Sequence, residues 1–131
     1  MGLKALDTNI LARYVANDDP AQAELAGALL NAPCFVSDSV LLETAWLLSS
    51  RYQMKRGPLA ATLLDLLSLP QLNVRDPAGT AWAIERFAAG ADFADMMHII
   101  ASHGADAFAT FDRAIAEAAG NSAPVPVETH S

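Results

Sequence analysis

Cysteine is almost absent from this chain: of 131 residues only Cys34 carries a thiol, so no internal disulfide can form. No Cys/His set with zinc spacing exists either, which removes the usual structural and catalytic zinc sites. Cys34 lies in the apolar run "PCFVS", where a small buried hydrophobe is expected, and a reducing cytoplasm fits. Basic residues are scarce, eight Lys and Arg against fifteen Asp and Glu, for a formal net charge of −7. Attraction of the whole molecule to nucleic acid or to an anionic membrane is therefore not expected, and a polyanionic substrate must be held locally. Long hydrophobic runs are missing too: nothing reaches the roughly 18 apolar residues of a membrane span. "MGLKALDTNI" lacks a signal peptide's apolar stretch and cleavage site, so a soluble, cytoplasmic protein is expected.

What is present is apolar surface, with 53% hydrophobic residues against 18% charged. That ratio offsets chain entropy and argues for one globular domain over residues 1–131, with roughly 68% of the unfolded surface buried. Short apolar runs alternate with longer helical patterns. Strands are expected at 3–6, 33–36, "QLNV" and "AFAT", and "PVPVE" reads as a fifth, edge strand because proline cannot donate to a ladder. Helices are expected at 9–16, 21–30, 37–54, from Pro58 to Ser68, through "DPAGTAWAIERFAAG", at 92–103 and through "DRAIAEAAG". The closing "ETHS" reads as a loose tail. Strands alternating with helices predict an α/β fold, a three-layer α/β/α sandwich around a central, mostly parallel sheet.

In such sheets ligands bind beyond the carboxyl ends of the strands. Asp7 follows "LKAL" directly and Asp112 follows "AFATF", which places both at that edge. Glu43 has Ser39, Val40, Trp46 and Leu47 as helical neighbours, so it is expected to point along a largely apolar face rather than into water. Asp92 and Asp95 open the next-to-last helix. Each acid alone also reads as a helix cap, a first-turn acid favoured by the helix dipole, or a paired surface charge. Together, carboxylates from separated segments repel one another and call for a cation. All-oxygen ligands suit Mg²⁺ or Mn²⁺, and such ions serve phosphate chemistry.

"LDTNIL", "LLETAWLL", "ADFADMMHIIASHGA" and "FATFDRAI", in this order, resemble the PIN-domain family, and within it the VapC-type toxins of toxin–antitoxin pairs. The resemblance covers about residues 4 to 127. It implies a metal-dependent endoribonuclease whose acids are Asp7, Glu43, Asp95 and Asp112, with Asp92 as a further metal ligand; which of Asp92 and Asp95 is the principal ligand stays open. Asn9 and Thr110 match polar positions that help to hold the first and last acids. "MM" after Asp95 departs from the family pattern and is expected to loosen the helix register slightly. The cofactor implied is Mg²⁺ or Mn²⁺. The partners implied are an RNA substrate, a VapB-like antitoxin whose tail lies in a hydrophobic groove offered by "AQAELAGALL" and "LAATLLDLL", and a second copy in a homodimer. DNA binding would fall to the antitoxin, not to this chain.

Setting aside Asp7, Glu43, Asp95 and Asp112 raises the net charge from −7 to −3, so substrate attraction must come from local cations. Lys4, Arg13, Arg51, Lys55, Arg56 and Arg113 are the candidates for phosphate contacts, with Arg13 and Arg113 favoured by their closeness in sequence to the acids. His98, one turn after Asp95, is expected to be a packed or surface histidine. Two other phosphoryl chemistries begin with an Asp after the first strand. A dehalogenase-type phosphotransferase wants a second Asp two positions on, where this chain has Asn9, and a receiver domain wants a late Lys, of which none follows residue 56. A PIN-like RNA-processing nuclease outside any toxin pair and a non-catalytic interaction module on the same fold remain as alternatives.

Overall fold

Residues 2–131 are described by a computed structural model. The chain is α/β, and it divides into two compact units, one running to Pro77 and the other from Ala78 to Ser131.

The first unit threads β1 (Lys4–Ala5), α1 (Thr8–Ala16), α2 (Pro20–Leu30), β2 (Cys34–Phe35), α3 (Asp38–Ser50), α4 (Arg56–Leu67) and β3 (Leu72–Asn73). Its strands are short but lie in register, Lys4 opposite Cys34 and Cys34 opposite Leu72, in the order β1-β2-β3 and parallel throughout. Leu6 N donating to Phe35 O at 2.9 Å and Val36 N donating to Asn73 O at 2.9 Å carry both ladders one residue further. Parallel neighbours require a crossover, and a helix pair supplies each one. Helix starts follow side-chain chemistry: Asp19 caps α2 ahead of Pro20, and the Ser37 hydroxyl accepts from Val40 N at the start of α3. α1 ends because Asn17 takes a left-handed conformation, φ 50°. Cys34 is fully buried, as its neighbours suggested, and burial pushes its thiol pKa up.

α3 stops at Ser50 and does not run on to Met54 as its apolar pattern suggested. Gln53 adopts φ 55°, and Met54 N donates back to Leu48 O at 3.0 Å across the reversal. A left-handed residue cannot continue a right-handed helix.

The second unit contains α5 (Pro77–Ala88), which begins at the last residue of the first, then α6 (Phe93–Ala101), β4 (Phe108–Thr110), α7 (Arg113–Ala119), a 3-10 turn at Gly120–Ser122 and β5 (Val127–Thr129). β4 and β5 pair in parallel, Phe108 opposite Val127 and Thr110 opposite Thr129. "ETHS" is accordingly not a loose tail. Glu128 and Thr129 belong to β5, and His130 N donates to Thr110 O at 2.8 Å. Pro126, which has no N–H, serves as an acceptor, taking Phe108 N at 2.8 Å. On α6, Met96, Met97, Ile99 and Ile100 are each at most 1% exposed, burial worth roughly 1.5–3 kcal/mol per side chain. The two methionines thus fill the core of an uninterrupted helix rather than loosening it. Arg86 Nε donates to Ala118 O at 2.7 Å and ties α5 to the end of α7.

Candidate functional site

In the first unit, Asp7 is the first residue past the β1 ladder and the N-cap of α1. Its Oδ1 accepts from Thr8 N at 2.8 Å, which commits one of the two carboxylate oxygens to the cap. Thr8 then reaches across to α3. It is 5% exposed, and its hydroxyl donates to Glu43 Oε1 at 2.6 Å. The apolar-face expectation for Glu43 needs correction, because the residue is exposed. The face that α3 buries carries Leu41, Thr44, Ala45 and Leu48, and Glu43 lies off it beside Trp46, itself 67% exposed. A cleft of about 240 Å³ opens here, lined by Asp7, Thr8, Asn9, Glu43, Trp46, Leu47 and Arg51. Asn9 is exposed in its wall, and the residue that grips an acid is Thr8, one position before the expected helix start.

In the second unit the acids follow the helical spacing. Asp92, Asp95 and His98 make a polar stripe along α6, at intervals of three, opposite its buried face. Asp92 is the N-cap, its Oδ2 accepting from Asp95 N at 3.0 Å. The Asp95 carboxyl is held above its ordinary pKa, first by partial burial, then by the negative charges of Asp92 and Asp112, with His98 pulling the other way. Asp112 is therefore within electrostatic reach of Asp95. It caps α7 through Oδ1, which accepts from Ala114 N at 2.9 Å, and its own N–H donates to Thr110 Oγ1 at 3.0 Å. Thr110 thus supports the last acid through the backbone, at the position where the sequence placed a supporting residue.

Cap and ligand were competing readings of Asp7, Asp92 and Asp112, and the structure shows capping at all three. The two are compatible, since a carboxylate offers about four lone-pair sites and the cap takes one. The candidate donors are carboxylate oxygens, and His98 is the one imidazole near them, so the set fits a hard divalent cation better than zinc. Among the described residues no three or more His, Cys, Asp or Glu side chains gather into a ready metal cage.

Among the cations, Arg13 is drawn to Asp18 at 3.3 Å, which weakens its case as a phosphate contact. Arg113 is the exposed first residue of α7, directly after Asp112, and Arg51 stands in the wall of the Asp7–Glu43 cleft. Arg51 and Trp46 are the residues whose position here the sequence reading underrated. His98 is exposed on α6, a surface histidine. No helix among the described residues is long and apolar enough to cross a membrane. No curated protein matches the chain. A family model does, that of the PIN domain, over residues 4–121.

Proposed function

Because the chain belongs to the PIN-domain family, whose members are generally nucleases, we propose that it is a metal-dependent endoribonuclease, the toxin of a VapBC-like pair, acting in the cytoplasm. One family match running through residues of both units supports a single nuclease domain. The observation that supports the reading is the placement of Asp7, Asp92 and Asp112 at three helix starts, each with one oxygen committed to its cap, with Glu43 held by Thr8 in the first unit and Asp95 within electrostatic reach of Asp92 and Asp112 in the second.

In this proposal Asp7, Glu43, Asp95 and Asp112, with Asp92 in support, hold Mg²⁺ or Mn²⁺. When bound, such an ion lowers the pKa of a water and neutralises charge on a phosphodiester under attack. The chain's own residues do the positioning. Thr8 fixes one oxygen of Glu43 and leaves the other to accept a proton from the attacking water. Thr110 fixes the backbone that presents Asp112. Water oxygen bonds to phosphorus, the bond from phosphorus to the leaving sugar oxygen breaks, and that oxygen takes up a proton from solvent.

Homodimer formation and antitoxin binding complete the proposal. In support of a docking groove, a cleft of about 330 Å³ lined by Tyr14, Val15, Thr62, Asp65, Leu66 and Leu69 opens beside α4, whose "LAATLLDLL" segment was expected to contribute to it. The test is cleavage of a structured RNA pool with Mg²⁺ or Mn²⁺ against EDTA, for wild type and for Asp7→Asn and Asp95→Asn. The nuclease reading is sunk if no metal-dependent cleavage occurs and neither variant relieves growth arrest on expression.

A further inference from the structure

The nuclease reading leaves one feature of the first unit unused. Trp46 is two-thirds exposed, yet Trp carries a large apolar surface that a monomer ordinarily covers. It stands one helical turn after Glu43 on α3, in the wall of the same cleft. Arg51 is the C-cap residue of that helix, lines the cleft as well, and makes no ion pair among the described residues. A flat aromatic face, a free guanidinium and two carboxylates therefore share one opening of about 240 Å³.

Those chemistries match one occupant. An apolar peptide would leave Asp7, Glu43 and Arg51 desolvated without partners, which is costly. A second protein copy needs a broad apolar face, whereas Trp46 is flanked by charge. A nucleotide satisfies each wall: its base has a π-face for the indole, and its phosphate has the anionic oxygens that a guanidinium forks. The fork also offsets the repulsion that two carboxylates impose on a phosphate. The second unit repeats the juxtaposition in its own terms, since Phe111, 84% exposed, directly precedes Asp112.

We propose that Trp46 and Arg51 form a nucleotide subsite for unpaired RNA, the indole stacking on a base and the guanidinium holding a neighbouring phosphate beside Asp7 and Glu43. A duplex keeps its bases stacked on one another, so this subsite selects single-stranded segments. The assignment rests on the nuclease reading for its substrate, and binding is therefore measured apart from turnover.

The probes are a labelled oligouridylate and an abasic ribose-phosphate oligomer of the same length, with affinity read by fluorescence anisotropy in EDTA. Trp46→Ala is expected to weaken oligouridylate binding about tenfold and to leave the abasic oligomer unaffected, while Trp46→Phe retains affinity within about threefold. Arg51→Gln is expected to weaken both oligomers and to lower the salt slope by about one. Trp46 is exposed, so its removal leaves the core intact, and circular dichroism verifies folding. Wild-type affinity of Trp46→Ala for oligouridylate overturns the subsite, as does equal weakening for the abasic oligomer. A light-scattering mass that drops from two chains to one in Trp46→Ala, with RNA affinity unchanged, assigns the indole to self-association instead. If oligouridylate binding depends on Trp46 but no metal supports cleavage, the nuclease reading fails and the subsite stands; cleavage and binding both intact in Trp46→Ala give the reverse.

Discussion

Thr8 Oγ1 lies 2.6 Å from Glu43 Oε1, so the first residue of α1 and the middle of α3 share one short hydrogen bond. The hydroxyl is buried while the carboxylate is exposed, and the bond holds a flexible acid in one rotamer from beneath. Replacing Thr8 with Val keeps the shape and removes the donor. Thr8→Val is expected to cost about 1 kcal/mol in urea unfolding and to reduce RNA cleavage about tenfold, with Thr8→Ser retaining most of both.

The acids differ from the surface carboxylates in what their loss removes. Asp7→Asn and Asp112→Asn keep a capping oxygen, so their helices survive and stability changes by less than about 1 kcal/mol. Cleavage is expected to fall more than about a hundredfold in each, because an amide cannot replace a charged metal ligand. Glu85→Gln, on the exposed surface of α5, serves as the control and leaves cleavage unchanged.

Asp95 sets a pH dependence with a definite sign. Its pKa is raised in the folded protein, so ionised Asp95 costs stability in the metal-free state, and that cost fades as pH falls through its raised value toward the ordinary carboxylate range. Metal-free Asp95→Asn is thus expected to unfold at higher temperature than wild type at neutral pH, with the gap closing in acid. Asp92→Asn removes one of the two carboxylates that raise Asp95, and carbon NMR of the Asp95 carboxyl is expected to show its midpoint moving down. Added Mg²⁺ moves it down further.

Gly120 closes α7 at φ 69°, ψ −156°, a conformation that L side chains rarely adopt, and a Cβ there would meet the Arg86 guanidinium carbon at 3.5 Å. Gly120→Ala is expected to cost about 1–3 kcal/mol in thermal or urea unfolding. Arg86→Lys, which loses the Nε donor to Ala118 O, is expected to destabilise by about 1 kcal/mol at the same helix end.

The order of elements was legible because it depends on neighbours in sequence. Asp19 before Pro20, Ser37 ahead of α3 and Asp92 ahead of α6 are local capping signals, and each helix begins where they stand. The strands, two or three residues long, are too short for an alternation pattern and were found as apolar runs between helices. The stop of α3 was hidden, because Gln53 has no intrinsic preference for φ 55° and tertiary structure imposes it. At the site, the aspartates were visible for the same reason that they were ambiguous: one oxygen can cap while the other binds. Thr8 was invisible because its partner is 35 residues away. Glu43 was placed wrongly because residues three and four along a helix report apolar character, not burial, and Trp46 is apolar and exposed.

Val127–Thr129 lie beyond residue 121, where the family match ends, yet they supply the ladder partner of β4. A protease nick, a premature stop or a bulky fusion just after the 3-10 turn would strip Phe108 N and Thr110 O of their bonds and let the Thr110–Asp112 turn fray. Activity assays on trimmed versions of this chain would then report a misplaced acid as an inactive enzyme, so the segment least like the family decides whether its chemistry is seen.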